Sequence, residues 1–233
     1  MLSVIIPVDG EEPSSFDELI SSIDSQDYTG DLKIYIAEDQ ISDSFREKIL
    51  SLPDRYQFIP NKCQRKLFAL ENICRVLDSI SNDSIIGIID GDDLLMRSDC
   101  FSLVCDAHDK GFPVAWTANQ WDLNGLNHSN ILNDDIDVYE HPWVSSHFRT
   151  FDISLYNQVS KSNFLNEDGE YFEKCYDQAL MLPIIHKAHE GGFKTKYIDK
   201  NCYIYRGRIN HSSEGREKQL RYEKLIRERG YVK

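Results

Sequence analysis

The run Ser84-Ile85-Ile86-Gly87-Ile88-Ile89-Asp90-Gly91-Asp92-Asp93 constrains the fold of this chain more than any other stretch. An almost unbroken apolar segment of this length reads as a strand buried on both faces, the kind found in parallel sheets. It stops in three carboxylates within four residues. Open α/β sheets place their ligands at the carboxyl ends of the strands, where these acids would emerge. Three anions so close together repel one another unless a cation or hydrogen-bond donors compensate. A hard divalent ion that also grips a phosphate is the natural partner, since Mg²⁺ uses one or two carboxylates and fills its shell with phosphate oxygens and water. A solvated acidic turn is the bland alternative, and the motif alone does not separate the two.

The segments before this run set its context. Leu2 to Ile6 reads as a short strand stopped by Pro7, and Pro13 opens a helical pattern with Phe16, Leu19, Ile20 and Ile23 on one face. Leu32 to Ala37 reads as a second strand ending in Glu38-Asp39. A helix through Phe45, Ile49 and Leu52 follows, then a strand over Tyr56 to Ile59. Leu67, Leu70, Ile73, Cys74 and Leu77 mark a third helix. Alternation of this kind predicts a mostly parallel sheet with right-handed crossovers. Its acidic strand ends would gather along one edge, and a nucleotide-binding crevice is the economical explanation.

Beyond Asp93 the spacing predicts a helix from Ser98 to Lys110, a strand from Val114 to Trp121, and a long polar loop or hairpin from Asp122 to Glu140 lying over a site. Phe151 to Val159 and Cys175 to His189 carry helical periodicity. Lys194 to Tyr205 reads as one or two late strands, and Glu214 to Arg229 as a charged helix. With 233 residues, 41% of them hydrophobic, the chain fits one domain with a substantial core.

Net charge excludes some partners. A formal charge of -13 argues against broad attachment to nucleic acid or anionic membrane, although the segment from Arg206 to Lys233 is locally basic. No apolar run is long enough for a transmembrane helix, and Met1 to Val8 lacks the basic flank of a signal peptide. Six cysteines, at positions 63, 74, 100, 105, 175 and 202, form no paired metal spacing. They read as reduced thiols, so the expected compartment is cytoplasmic.

In their order and spacing, Ser3-Val4-Ile5-Ile6-Pro7-Val8, the acidic end of the second strand and the Asp90-Gly91-Asp92-Asp93 turn resemble the family 2 glycosyltransferases, which have the GT-A fold. The likeness continues through His147-Phe148-Arg149-Thr150-Phe151, Asp168-Gly169 with Tyr171-Phe172, and Tyr176-Asp177-Gln178-Ala179. It closes with Tyr203-Ile204-Tyr205-Arg206 and Asn210-His211-Ser212-Ser213, so it spans nearly the whole chain. Two departures stand out. Asn61-Lys62-Cys63-Gln64-Arg65-Lys66 replaces the usual glycine-containing loop with its Arg-Asn pair, and Tyr176-Asp177 replaces the usual Glu-Asp pair.

The resemblance implies one GT-A domain over residues 1–233, with a nucleotide-sugar half (1–96), an acceptor half (97–213) and a C-terminal helix (214–233). It implies a metal-dependent inverting transfer from a nucleotide-sugar, a UDP-sugar first, to a glycan or small-molecule hydroxyl. Pro7, Val8 and Asp9 would line the base pocket, and Asp39 would accept a hydrogen bond from a pyrimidine N–H. Asp90 and Gly91 would face the ribose, while Asp90 and Asp92, with His211 as a third ligand, would hold Mn²⁺ or Mg²⁺. Asp93 would join that set or cap a following helix. Lys66 and Arg65 are diphosphate candidates, set against a role as solvated charges on a first helical turn.

Asp177 is the expected general base, at the mouth of the apolar run Ala179 to Leu182, with Asp168 and Glu170 as rivals. Asp168 is also a candidate acceptor contact, as is His147, and Arg149 would hold a sugar or phosphate. Trp116, Trp121 and Trp143 are candidate stacking surfaces for a sugar. Three other readings compete. A sugar-1-phosphate nucleotidyltransferase needs a basic glycine-rich loop where Asp9-Gly10-Glu11-Glu12 is acidic. A non-catalytic binding module would not need Asp90, Asp92 and Asp177 together. Transfer to a modified nucleic-acid base is disfavoured by the net charge.

Overall fold

The first four strands form a parallel block in the order β3-β2-β1-β4, as the sequence alternation requires. These strands are β1 (Leu2–Gly10), β2 (Leu32–Ile41), β3 (Tyr56–Ile59) and β4 (Ile85–Ile88). In this computed structural model, residues 1–10, 12, 14–81, 83–206 and 213–233 are described, so Glu11, Pro13 and His211 lie outside the described residues. The connecting helices are α1 (Phe16–Asp24), α2 (Asp43–Leu50) and α3 (Phe68–Leu77).

Pro7 does not end the first strand. It stays in register with Ala37 of β2, while β4 has already stopped opposite Ile5. Backbone groups alternate sides along a strand, so the missing N–H of Pro7 points to the side that β4 has vacated.

The second half adds β5 (Leu94–Leu95), α4 (Cys100–Asp109), β6 (Val114–Trp121), β7 (Arg149–Asp152), α5 (Ile153–Tyr156), α6 (Tyr176–Glu190), β8 (Lys196–Tyr205) and α7 (Ser213–Arg229). The sheet continues as β4-β7-β6-β8-β5. β7 is antiparallel to both β4 and β6, which corrects the helix expected from Phe151 onward. Helical spacing begins only at Ile153. Arg149 to Phe151 is buried on both faces and fills the gap beside β4, so tertiary pairing overrides the local pattern.

Each face of the sheet carries its own core. Val4, Ile6 and Val8 pack with Phe16, Leu19 and Phe45 of α1 and α2 and with Phe101 of α4. Ile5, Ile86 and Ile88 point the other way, onto Leu70 and Ile73 of α3 and Leu180 and Ile184 of α6. This is the period-2 alternation of a strand sandwiched between helical layers. Fully burying a side chain of this size contributes about 1.5–3 kcal/mol. Among the described residues no helix is long and apolar enough to cross a membrane. All six cysteines are free, with Cys74, Cys100, Cys105 and Cys202 buried and Cys63 exposed.

The segment expected to lie over a site does not do so. No residue from 122 to 140 lines the central cavity. Leu132, Val138 and Tyr139 instead join the core beneath α6, and Asp134 accepts hydrogen bonds from His189 (3.0 Å) and the Thr195 hydroxyl (2.8 Å).

Candidate active site

The carboxyl ends of β1, β2 and β4 open onto a cavity of about 390 Å³. Pro7, Val8 and Asp9 form one wall, with Asp39, Lys66 and Phe68 beside them; Asp90, Gly91 and Asp92 form the floor. His147, Arg149, Tyr176, Asp177 and Tyr205 close the opposite side, with Glu173 and Lys174 at its rim. Gly91 is required here. A Cβ at this position would lie 2.8 Å from Val8 Cγ1 and 3.0 Å from the Pro7 carbonyl oxygen, so only glycine lets the turn press against β1.

Asp39 is buried, and its carboxylate is largely engaged within the protein. Oδ1 accepts from the Leu67 N–H (2.8 Å) and Asn61 Nδ2 (3.3 Å), and Oδ2 accepts from the Phe68 N–H (2.7 Å). These are the free amides at the start of α3, where a negative charge is favourable. A carboxylate has about four acceptor sites, so one remains for a ligand. Lys66 pairs with Asp9 at 2.5 Å across the cavity wall. Arg65 points elsewhere, in a two-pronged pair with Glu71 at 2.6 and 2.8 Å.

The acidic turn divides its labour. Asp93 caps no helix, which corrects that expectation. Its Oδ2 accepts from the Tyr203 hydroxyl (2.8 Å) and its Oδ1 from the Arg206 N–H (2.7 Å), tying the turn to the end of β8. Asp90 accepts from the Tyr176 hydroxyl through Oδ1, and its Oδ2 lies 3.9 Å from His147 Nδ1. Asp92 lines the cavity, and its backbone oxygen accepts from the Ser15 hydroxyl (2.8 Å).

Burial pushes the Asp90 carboxyl up to about 6, against the pull of Arg149 and the Tyr176 hydrogen bond. Burial, with Asp90 and Asp92 adding repulsion, holds Asp93 well above the usual carboxylate range. His147 is driven the other way, first by burial and then by Arg149, so its imidazole is neutral.

Among the described residues Arg149 is the one cation buried in this cluster, only 1% exposed. Its Nε donates to the Ser146 carbonyl (3.2 Å), its Nη2 donates to the His147 ring (2.7 Å), and among the described residues its Nη1 has no partner. Burial works against its charge, but Tyr176, Asp177 and Asp90 carry its pKa above the ordinary value. The His147 ring stacks between Tyr203 (4.7 Å) and Tyr205 (5.1 Å), which fixes its orientation.

The donor set fits a hard divalent cation. Ligand atoms of Asp90, Asp93 and His147 lie within 4.8 Å of one another, with Asp93 and His147 buried and Asp90 half-buried. The carboxylate oxygens suit Mg²⁺ or Mn²⁺, whereas the acceptor nitrogen of neutral His147 is taken by Arg149. His211, the expected third ligand, lies outside the described residues.

Not every candidate reaches the cavity. Asp168 and Glu170 are exposed on the turn between Leu165 and Tyr171 and do not line it. Their N–H groups donate to Asn166 Oδ1, which closes the turn. The tryptophans are absent from the lining as well. Trp116 is buried in the core, Trp143 packs against it, and Trp121 sits beside His128 and Tyr205.

Sequence reasoning missed Tyr176 and the aromatic sandwich around His147. The alternation Tyr203-Ile204-Tyr205 on one strand was the available signal for the sandwich.

The fold is similar to those of solved glycosyltransferases. One is S. aureus TarS 1-349 in complex with UDP-GlcNAc, at 15% identity and a TM-score of 0.67, covering 97% of this chain and 66% of that one. The complex of TarS 1-349 with UDP gives 12% identity, a TM-score of 0.64, and coverage of 97% and 64%. The mannosyltransferase PcManGT from Pyrobaculum calidifontis, in complex with GDP-Man and Mn²⁺, gives 16% identity, a TM-score of 0.61, and coverage of 99% and 65%. The chain thus spans less than two thirds of the length of these neighbours. No family model and no curated protein sequence matches it. The α/β architecture expected from the sequence, a mostly parallel sheet flanked by helices, is the architecture of these glycosyltransferase structures.

Proposed function

We propose that the chain is a metal-dependent, inverting glycosyltransferase that moves a sugar from a nucleotide-sugar, a UDP-sugar first, to a hydroxyl of a glycan or small molecule. One observation carries this reading. A single cavity at the ends of parallel strands gathers a base-sized wall (Pro7, Val8, Asp9, Asp39), an acidic floor (Asp90, Asp92) and a separate carboxylate at a helix start (Asp177). The lining supports the division into halves: the wall and floor come from residues up to Asp92, and the facing side from His147 onward.

Asp90 and Asp92 would hold Mn²⁺ or Mg²⁺, which would act as a Lewis acid on the leaving diphosphate, while Asp93 and His147 are bonded within the protein beside Asp90. Lys66 is the cavity cation nearest the base wall, and contact with a phosphate would release it from Asp9. On the opposite side Glu173 is engaged by Lys218, whereas among the described residues no hydrogen bond or ion pair holds the Asp177 carboxylate. Asp177 therefore takes the proton of the acceptor hydroxyl as that oxygen attacks the anomeric carbon. The bond to the diphosphate breaks on the far face, its electrons leave with the phosphate, and the centre inverts. Buried Arg149, whose Nη1 has no partner among the described residues, supplies a fixed positive charge beside the developing negative one.

Asp39 favours uracil. One acceptor site remains on its carboxylate, which matches the single N3–H of uracil, whereas guanine presents two donors on the equivalent edge. UDP with Mn²⁺ should therefore raise the melting temperature more than ADP or GDP at equal concentration, because a ligand bound only by the folded state stabilises it. A melting series in which ADP or GDP outperforms UDP would overturn the uridine reading.

A further inference from the structure

We infer that Tyr176 is a positioning residue that holds the Asp90 and Asp177 carboxylates in one frame. The inference rests on the glycosyltransferase reading above. Tyr176 is the first residue of α6 and Asp177 the second, so the phenol and the proposed base leave the same helical turn. The phenol hydroxyl donates to Asp90 Oδ1, reaching from the start of α6 to the end of β4. That bond occupies one oxygen of Asp90 and leaves Oδ2 for a ligand on the cavity side.

One further contact holds the phenol, and the residues on either side of it are themselves held. Its ring lies 5.3 Å from the Arg149 guanidinium carbon, a cation–π contact inside the buried cluster. Arg149 is itself held by the Ser146 carbonyl and the His147 ring, so Tyr176 packs on a side chain that cannot swing. The chain reaches Tyr176 through Cys175, whose φ of 58° lies in the left-handed region that non-glycine residues rarely adopt. The Cys175 thiol donates to the Gln219 carbonyl of α7 at 3.2 Å, which anchors that turn. Among the described residues only Gln40, Phe68 and Cys175 are non-glycine residues at positive φ, and all three adjoin Asp39, the start of α3 or Tyr176. Such conformations persist where surrounding structure enforces them, and they cluster at functional sites.

The identity of the side chain fits its place. Asp90, Asp92 and Asp177 already crowd the cavity, and a glutamate at 176 would add a like charge against Asp90. A phenol donates a hydrogen bond and brings no charge.

The test compares the wild-type 233-residue chain with Tyr176→Phe, which keeps the ring on Arg149 and removes only the donor. Calorimetric titration of UDP, with Mn²⁺ and with chelator, is paired with steady-state turnover across a Mn²⁺ series and with thermal melting. Removing a hydrogen bond to a charged group weakens binding by about tenfold to a hundredfold. Tyr176→Phe should show a loss of about that size in Mn²⁺-dependent UDP affinity, need more Mn²⁺ for half-maximal turnover, and have a lower kcat. UDP affinity in chelator and the acceptor KM should not move.

A purely structural role would lower the melting temperature and leave the Mn²⁺ requirement of the folded fraction unchanged; that result, or wild-type behaviour throughout, overturns the inference while the function stands. A wild type that neither binds UDP in a Mn²⁺-dependent way nor turns over any donor overturns the functional reading, and this inference with it.

Discussion

Asp177→Asn should lower turnover by about 10²-fold or more while donor affinity stays nearly the same, the usual scale for losing a general base. Asp177 faces the cavity across from the acidic floor, and asparagine keeps its shape while removing its capacity to accept the proton. Stability should barely change. Asp177 lies in the first turn of α6, where losing a charge costs under about 1 kcal/mol at a partly exposed position. The comparison that decides the assignment is Glu173→Gln, since Glu173 is the other acid on that side of the cavity. Normal turnover in Asp177→Asn together with a large loss in Glu173→Gln would move the base to Glu173.

The second large effect concerns the floor. Asp92→Asn should abolish transfer and weaken nucleotide binding in Mn²⁺ or Mg²⁺, with little change in chelator, because the carboxylate acts through the ion. The turn itself should survive, since the Asp92 contact to the Ser15 hydroxyl uses the backbone oxygen. Equal nucleotide affinity of mutant and wild type in saturating metal would remove Asp92 from the metal site.

Much of the donor side was legible in the sequence because its signals are local. A strand that stays apolar from Ile85 to Ile89 and then breaks into Asp90-Gly91-Asp92-Asp93 has few places to go in a parallel sheet. Asp39 was legible as a strand-end acid beside the site, but its bonds to the α3 amides depend on how Asn61 to Phe68 returns to β2, and no periodicity encodes that return.

The acceptor side was less legible for the same reason. β7 looked helical because its neighbours β4 and β6, distant in sequence, supply the pairing that makes it a strand. Asp168 looked functional because Asp168-Gly169 precedes α6, yet a turn closed by Leu165 and Tyr171 carries it to the surface. The segment from 122 to 140 is polar enough to read as a lid, but its three buried apolar residues, Leu132, Val138 and Tyr139, decide where it lies. Tyr176 was visible only as a departure from the Glu-Asp pair. Its meaning depends on Asp90, 86 positions away.

The central claim is that this cavity splits a nucleotide-sugar with the help of a divalent ion. The most direct measurement is release of the nucleoside diphosphate from a panel of nucleotide-sugars by the 233-residue chain, in Mn²⁺ and in chelator. The account predicts release from at least one UDP-sugar in Mn²⁺, faster than from GDP- or ADP-sugars, and its loss in chelator and in Asp92→Asn. No release from any donor in Mn²⁺, or release at the same rate in chelator, would contradict it.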